Sequence, residues 1–349
     1  MPVVHLRSQT PDSLASLWPD LPLDPSIARR VIARVVGEGR DDLTGLAGLS
    51  HALAAEIIRR GSTKRLEVID RRESALDGFV KYLFRADDGA LFETVRIPLL
   101  APRFSVCVSS QAGCGLGCAF CETGRLGFNR NLEPWEIVEQ VLAVKRDALF
   151  DRPVTGVVFQ GQGEPLQNYD AVIRAALILR DPSGLKIRGE AITISTVGPL
   201  PAIERFTSEG HVYRLILSLT SAIDAKRETL VPLTEKYSVA ELAAAMRRHA
   251  DRHGGPVHLG WVLMSGVNSG EDEAEAIARH FSGGPVRVHL IDVNDPSGRH
   301  RPPDDAERGR FLDALRARGI VFVRRYSGGP DIHAACGMLA STARGGRPA

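Results

Sequence analysis

The sequence predicts an α/β protein whose main body is an incomplete, open barrel of parallel strands, preceded by a small helical unit. From about residue 102, short apolar segments alternate with amphipathic ones, which is the rhythm of successive parallel strand-helix units. Six such units are present, fewer than the eight that close a barrel of this kind. The chain has 349 residues, so one large body with an accessory unit is expected.

The helical accessory unit is expected over residues 1–62. Apolar side chains recur at helical spacing between residues 27 and 36. A second helical segment, SHALAAEIIRRG, runs from a capping Ser50 to a terminating Gly61. Both features are the usual signals of short amphipathic helices.

Residues 63–101 are expected to connect this unit to the barrel. Apolar and polar residues alternate on both sides of Asp88 and Gly89, which predicts a β-hairpin. The overlapping stretch 59–72 carries six basic residues. Contact with phosphate and a merely solvated surface are both consistent with that pattern.

The barrel is expected over residues 102–326, and a separate C-terminal segment over 327–349. The predicted strands are FSVCVSS, VTGVVFQ, AITISTV, VYRLILSLT, VHLGWVLM and VRVHLIDV, with a possible seventh in IVFVRRY. The predicted helices centre on residues 134–149, 168–180, 199–209, 238–253, 271–283 and 303–318. Functional side chains in such folds lie at the C-terminal ends of the strands.

The sequence indicates where the protein is located in the cell more clearly than it indicates what the protein binds. The N-terminus shows no cationic segment leading into an apolar run, and no stretch is long enough to span a bilayer, so a cytoplasmic protein is expected. The net charge is only +2, which does not by itself indicate nucleic-acid binding. Most of the 44 basic residues are arginines. This suits bidentate phosphate contacts, but genomic base composition explains it equally well.

Three of the five cysteines form a compact motif. Cys114, Cys118 and Cys121 follow the first barrel strand with C-x3-C-x2-C spacing. Three thiolates can hold three irons of a 4Fe-4S cluster and leave the fourth iron open. The alternative is structural zinc, which needs four ligands, and only the more distant Cys107 is available as a fourth. The cysteine spacing is the signature of the radical S-adenosylmethionine (SAM) superfamily, whose fold is a partial (β/α)6 barrel.

Further motifs extend the resemblance. They are CVSSQ-x-GC, GFNRN, GxGEPL-x-N at 161–168, STxG at 195–198, VP-x-x-x-KY at 231–237 and DI-x-AACG-x-LA at 331–340. Together they resemble the bacterial family of adenosine C2 methyltransferases that act on 23S rRNA and tRNA. The related C8 methyltransferases share most of these motifs.

The resemblance implies a covalent mechanism with one 4Fe-4S cluster and two SAM molecules per turnover. Cys336 would accept a methyl group and become S-methylcysteine. A radical derived from the second SAM would then activate that methyl group for addition to the adenine ring. Cys107 would release the product by forming a transient disulfide with Cys336. Glu93 would remove the ring proton.

The resemblance also implies a cofactor pocket and partners. The residues matching the family's SAM contacts are Gly163, Glu164, Ser195, Ser218, Leu219, Thr220 and Asn294. The implied partners are an rRNA and/or tRNA substrate, an electron donor such as flavodoxin or ferredoxin, and a thiol reductant. A monomer is expected.

Three positions depart from the family pattern. Gln162 replaces a methionine, Thr220 replaces a histidine, and IDVND at 291–295 replaces a tryptophan-containing IPWNP segment. All three lie in or near the expected cofactor pocket. The sequence is therefore predicted to belong to a divergent member, for which the alternative substrate is a nucleoside or another small molecule.

Overall fold

A ten-stranded sheet organises the chain, of which the computed structural model describes residues 4–99, 102–147 and 153–340. The strands are β1 (Val4–His5), β2 (Gly61–Ser62), β3 (Glu67–Glu73), β4 (Val80–Arg85), β5 (Leu91–Pro98), β6 (Phe104–Val108), β7 (Gln111–Gly113), β8 (Phe128–Asn131), β9 (Val154–Phe159), β10 (Ile192–Thr196), β11 (Arg214–Ser218), β12 (Val257–Leu263), β13 (Val286–Asp292) and β14 (Val321–Arg324). The helices are α1 (Pro11–Leu17), α2 (Pro25–Ile32), α3 (His51–Arg60), α4 (Glu122–Leu126), α5 (Pro134–Asp147), α6 (Tyr169–Arg180), α7 (Leu200–Glu209), α8 (Asp224–Leu230), α9 (Val239–His253), α10 (Glu271–His280) and α11 (Asp305–Ala317).

Seven parallel strands form the barrel, in the order β6-β9-β10-β11-β12-β13-β14. Helices follow the strands in sequence, so the predicted partial barrel is confirmed and the possible seventh strand is present as β14. Within the described chain, β14 pairs only with β13 and the sheet stays open. The first predicted barrel helix, 134–149, is described to residue 147; its last two positions lie outside the described residues.

The predicted hairpin is confirmed and is larger than expected. β4 and β5 pair antiparallel around the turn at Gly89, whose positive φ of 85° suits glycine. β5 also pairs antiparallel with β6, so the hairpin extends the barrel sheet. β3 adds a third antiparallel strand that the sequence analysis did not predict. Its seven residues are half-buried or exposed on both faces, so they show no clear alternation of apolar side chains.

The helical unit at the N-terminus follows the predicted signals. The Ser50 hydroxyl accepts a hydrogen bond from the Leu53 amide, and α3 ends at Gly61. α2 continues into a π-helical turn over Ala33–Gly37. β1 and β2 pair in parallel, which joins the two ends of the unit. No helix of the described residues is long and apolar enough to cross a membrane.

Arg7 anchors the helical unit on the barrel. Its guanidinium is fully buried and lies 2.6 Å from Asp41 and 3.3 Å from Glu139 of α5, which is also fully buried. It also donates to the carbonyl groups of Val35 and Thr63. One buried carboxylate, one partly exposed carboxylate and two backbone carbonyls therefore depend on one side chain.

Replacing Arg7 with alanine is expected to lower the free energy of unfolding by about 3 kcal/mol, because Glu139 then loses a buried counter-charge. Arg146 also contacts Glu139, which limits the loss. Chemical denaturation measures the change. Arg188→Ala is the control, since Arg188 pairs with Glu190 on an exposed surface and should cost less than about 1 kcal/mol. Equal losses in the two variants would contradict this role for Arg7.

Candidate active site

The cysteine loop is framed by the small antiparallel pair β7-β8, which directly follows β6. The Cys114 amide donates to the Gly127 carbonyl at 2.8 Å, and the Cys121 amide donates to the Cys118 carbonyl at 3.1 Å. Gly113 has a φ of 72°, and a Cβ there would collide with the Gly127 carbonyl. This position requires glycine because the two sides of the loop approach so closely.

The three loop thiols lie along one cavity and influence one another. Burial raises the pKa of the Cys114 thiol to about 11, with a further contribution from Cys121. Burial also raises the pKa of Cys118 well above its usual range, and the charges of Cys121 and Cys114 add to the effect. A bound metal centre supplies the positive charge that such thiols need in order to ionise.

The donor set fits an iron-sulfur cluster better than a single ion. Among the residues that the structure describes, no three side chains of His, Cys, Asp or Glu converge as ligands of one metal ion. A mononuclear zinc site needs four convergent ligands. A 4Fe-4S cluster would instead take one thiolate on each iron that the protein holds, and Cys114, Cys118 and Cys121 all line the same cavity.

The cavity lies at the carboxyl ends of the barrel strands and brings together most of the residues predicted for the site. Those lining it are Cys107, Cys114, Cys118, Cys121, Gly163, Glu164, Ser195, Ser218, Thr220, Asn294 and Cys336. Two predicted residues do not line it. The Leu219 side chain is fully buried in the hydrophobic core, and Glu93 is fully buried behind the cavity wall.

Cys107 and Cys336 line the same cavity although they are far apart in the sequence. Cys107 lies on β6, whereas Cys336 lies in the segment that follows β14. Burial raises the pKa of Cys107 far above its usual range, and the neighbouring Cys336 adds to this effect. Burial likewise raises the pKa of Cys336. All five cysteines are free thiols, so the structure contains no Cys107-Cys336 disulfide.

Ser327 is a cavity residue that the sequence analysis missed. Its hydroxyl oxygen accepts the Cys336 amide at 2.9 Å and the Asn294 side-chain amide at 3.1 Å. It therefore fixes the backbone of the Cys336 segment to the end of β13. The signal was available, because Ser327 follows the last barrel strand, where functional side chains concentrate in this fold.

Glu164 sits at the base of the cavity with both carboxylate oxygens engaged. The amides of Leu166 and Val197 each donate to it at 2.9 Å. Burial nevertheless raises the pKa of Glu164 to about 7. The preceding Gly163 has a φ of 93°, and a Cβ there would collide with the Gln111 side chain. The turn thus presents a buried carboxylate that suits a cationic group.

Hydroxyl groups line the neighbouring wall. Ser195 and Ser218 are hydrogen-bonded to each other at 2.9 Å. Thr220 has a φ of 61°, unusual for a β-branched residue. Its carbonyl accepts the Asn268 side-chain amide at 2.6 Å, and its buried hydroxyl has no hydrogen-bond partner among the described residues. That hydroxyl is available to a bound ligand.

Glu93 does not reach the cavity surface. Its carboxylate is fully buried and lies 2.8 Å from the ammonium of Lys81, which is itself only 4% exposed. Val95 and Ile97, on the same face of β5, do line the cavity. Glu93 is therefore adjacent to the cavity but covered by an ion pair.

The three departures from the family pattern occupy different places. Gln162 is fully buried and does not line the cavity; its carbonyl accepts the amides of Ser110 and Gln111. Thr220 and the residues 291–294 do line it. The substitutions therefore alter the cavity wall at Thr220 and after β13, whereas Gln162 lies behind the surface.

The open barrel and its three-cysteine loop define a radical SAM enzyme, and residues 108–280 match the model of the radical SAM superfamily. A probable RNA methyltransferase of Anaeromyxobacter sp. (strain Fw109-5) is 49% identical over 327 residues, covering 91% of this chain and 94% of that protein. The probable dual-specificity RNA methyltransferase RlmN of Heliobacterium modesticaldum is 36% identical, covering 97% and 90%. The crystal structure of a radical SAM methyltransferase from Sphaerobacter thermophilus, 36% identical, superposes with a TM-score of 0.89 and covers 97% of this chain and all of that one.

The chain therefore belongs to the radical SAM methyltransferase family that includes the RlmN enzymes. This confirms the family predicted from the cysteine spacing and the later motifs. Membership implies a 4Fe-4S cluster and SAM as cofactors, and the protein is a methyltransferase.

Removing one of the three loop thiols is expected to prevent cluster binding. Anaerobically purified Cys118→Ala should lose most of its iron and sulfide, because two thiolates cannot hold the cluster stably. The matched control is Cys107→Ala, which removes a buried thiol from the same cavity and should keep a full complement of iron. Iron and sulfide analysis with visible absorption measures both. Normal iron content in Cys118→Ala would refute the assignment.

Proposed function

We propose that this protein methylates a ring carbon of adenine, C2 rather than C8, in rRNA and/or tRNA. The observation that carries the proposal is a single cavity holding the three-cysteine loop together with Cys107 and Cys336. The RNA methyltransferase names of the related proteins support an RNA substrate. The reaction uses two SAM molecules per turnover, an electron donor such as flavodoxin or ferredoxin, and a thiol reductant.

Cys336 is the proposed methyl carrier. Its thiolate attacks the sulfonium methyl group of SAM. A bond forms between the Cys336 sulfur and the methyl carbon, the bond from that carbon to the sulfonium sulfur breaks, and the products are S-methylcysteine and S-adenosylhomocysteine. When bound by Cys114, Cys118 and Cys121, the cluster supplies the electron that makes radical chemistry on a second SAM possible. Ser327 orients the Cys336 segment through the Cys336 amide.

Product release is the proposed role of Cys107. After the methylene carbon has joined the ring, the ring loses its proton and one electron, which the oxidised cluster would accept. The Cys107 thiolate then attacks the sulfur of Cys336, the bond between that sulfur and the methylene carbon breaks, and the released carbon takes up a proton to become the methyl group of the freed base. The two cysteines are then joined as a disulfide, which a cellular thiol reduces. Because burial raises the pKa of Cys107, this step needs a base or a nearby positive charge.

Glu93 is the proposed acceptor of the ring proton. The Lys81 ammonium, at 2.8 Å from the Glu93 carboxylate, must move away for substrate to approach. An opening of this ion pair on substrate binding would couple proton removal to the presence of the base.

The parts of the chain have proposed tasks. Residues 1–62 are assigned to RNA binding, and residues 63–101 connect them to the barrel. Residues 102–326 form the catalytic core, and residues 327–349 form the segment that carries Cys336. The structure describes the last of these only to residue 340. The Arg7 anchor makes deletion of residues 1–62 unsuitable as a test, because the deletion would also expose the buried Glu139.

Methylation of a free nucleoside by the same chemistry is the alternative, favoured by the altered wall after β13. Nucleoside mass spectrometry of rRNA and tRNA from cells with and without the gene separates the two. Loss of 2-methyladenosine supports the proposal, and loss of 8-methyladenosine instead would correct the ring position. Unchanged RNA, together with methylation of free adenosine in vitro, would overturn the RNA substrate.

Cys336→Ala is expected to abolish methyl transfer while leaving the cluster intact, since no other cavity residue carries the methyl group. Cys107→Ala should instead stall after bond formation and accumulate protein covalently joined to RNA. Denaturing electrophoresis with labelled RNA detects that adduct. Normal turnover in Cys336→Ala would rule out the covalent route.

A further inference from the structure

Five basic side chains lie below the cavity, around the inner surface of the open barrel. Successive side chains on a strand point to opposite faces, and Ser218, Gly260 and Ile291 line the cavity. Residues an even number of positions earlier on the same strands therefore face the same interior. Together with one residue that follows β14, they form the inner basic cluster: Arg214, His258, Arg287, His289 and Arg325.

The hydrogen bonds of the inner basic cluster have a fixed direction. Two nitrogen atoms of the Arg325 guanidinium contact Nδ1 of His289. Nε donates a hydrogen bond to it at 3.1 Å, and Nη2 lies 3.0 Å from it. A guanidinium can only donate, so the neutral His289 ring carries its proton on Nε2. That atom is 3.0 Å from Nδ1 of His258. His258 must therefore accept through Nδ1 and carry its own proton on Nε2.

The chain of donors ends at an N–H group beside two further arginines. Within the described part of the chain, Nε2 of His258 has no hydrogen-bond partner. Burial lowers the pKa of His258 to about 4, and the charges of Arg214 and Arg287 contribute next. Burial lowers the pKa of His289 to about 3, followed by the effect of Arg325. Both rings are therefore neutral, and the arginines supply the charge.

These arginines lack the carboxylate partners that the basic residues of the stretch 59–72 have. In the described residues, Arg214, Arg287 and Arg325 form no ion pair with a carboxylate, and no carboxylate raises the pKa of either histidine. The basic stretch 59–72 behaves oppositely, because each of its basic residues is paired. The pairs are Arg59–Glu56, Arg60–Asp20, Lys64–Asp87, Arg65–Asp41, Arg71–Asp147 and Arg72–Asp70.

The inner basic cluster can be reached from solvent. On β14, Phe322 packs outward against the hydrophobic core, so Val321 and Val323 point into the barrel. They are 53% and 42% exposed, which shows that the interior is open on this side. At Gly260 the wall between the cluster and the cavity carries no side chain.

We propose that the inner basic cluster is a binding site for a phosphate group. Arginine forks match phosphate oxygens in pairs, and the Nε2–H of His258 adds a donor to the same space. A phosphate dianion, or a phosphodiester held by several donors, neutralises charge that no carboxylate of the described residues neutralises. The phosphate comes either from a free phosphate-bearing small molecule or from the RNA backbone.

The test measures binding of two probes to the full-length holoenzyme. Inorganic phosphate is followed by equilibrium dialysis, and a tRNA transcript by filter binding over a range of salt concentrations. The variants are the double substitution Arg214→Gln with Arg287→Gln, and separately His258→Phe, which keeps a ring but removes the donor. Arg59→Gln is the control, since it removes one arginine charge at a paired, exposed position.

The double variant is expected to bind phosphate at least about tenfold more weakly than wild type, with Arg59→Gln unchanged and a smaller loss in His258→Phe. If RNA is the source, inorganic phosphate binds none of the proteins measurably. The salt dependence of tRNA binding then falls by about one unit of slope for each arginine removed.

Wild-type affinity of the double variant for both probes, with its unfolding temperature unchanged, would overturn the proposal. Both assays measure binding and not methyl transfer, so failure of the proposed methylation and failure of this site are distinguishable.

Discussion

Two aspartates hold the C-terminal segment across the open side of the barrel, and the arrangement of the cavity depends on them. Asp77 accepts the Gly329 amide and the Tyr326 hydroxyl, each at 2.8 Å. Asp331 accepts the Ser74 hydroxyl at 2.8 Å and the Ala75 amide at 3.1 Å. A segment that begins at one edge of the sheet is thereby tied to the hairpin extending the other edge.

These hydrogen bonds bring Cys336 close to Cys107 and to the cysteine loop. Ile332, Ala334 and Leu339 pack with Phe79 and Cys107 in a small apolar cluster. On the opposite side the segment reaches the cysteine loop, where the Glu122 amide donates to the Gly337 carbonyl at 2.7 Å. Cys336 is thus held between the Cys107 wall and the cluster loop. The open barrel alone would leave it in solvent.

Local patterns predicted the fold, and they also supplied the residues proposed to carry the chemistry. The cysteine spacing, the strand-helix rhythm and the hairpin at Gly89 are each encoded within a few residues. The structure brings most of the predicted residues into one cavity. What the sequence could not predict depends on contacts between distant residues. The Lys81–Glu93 pair, the hydrogen bond between Ser327 and Cys336, and the pairing of β3 all join distant residues, and no local pattern specifies them. The position of Ser327 after the last barrel strand was the only local signal among them.

The distribution of basic residues shows most clearly what a local sequence pattern cannot predict. The stretch 59–72 is conspicuous in sequence because its basic residues are adjacent, yet its ion pairs join residues from five separate parts of the chain. Arg214, Arg287 and Arg325 are scattered in sequence and become neighbours only when parallel strands align. A sequence window measures the density of charge, whereas binding depends on charge that remains uncompensated after folding.

The interior of the barrel is consequently divided by charge along the barrel axis. Glu164 and the cysteines lie at the carboxyl ends of the strands, where a sulfonium cofactor with its ammonium group is favoured. The inner basic cluster lies one layer below, beyond Gly260, and favours anions. A cationic ligand and an anionic one can therefore occupy adjacent layers without competing. The neutral hydroxyl groups of Ser195, Ser218 and Thr220 separate the two regions, which allows a ribose or a base between them to be held by hydrogen bonds alone.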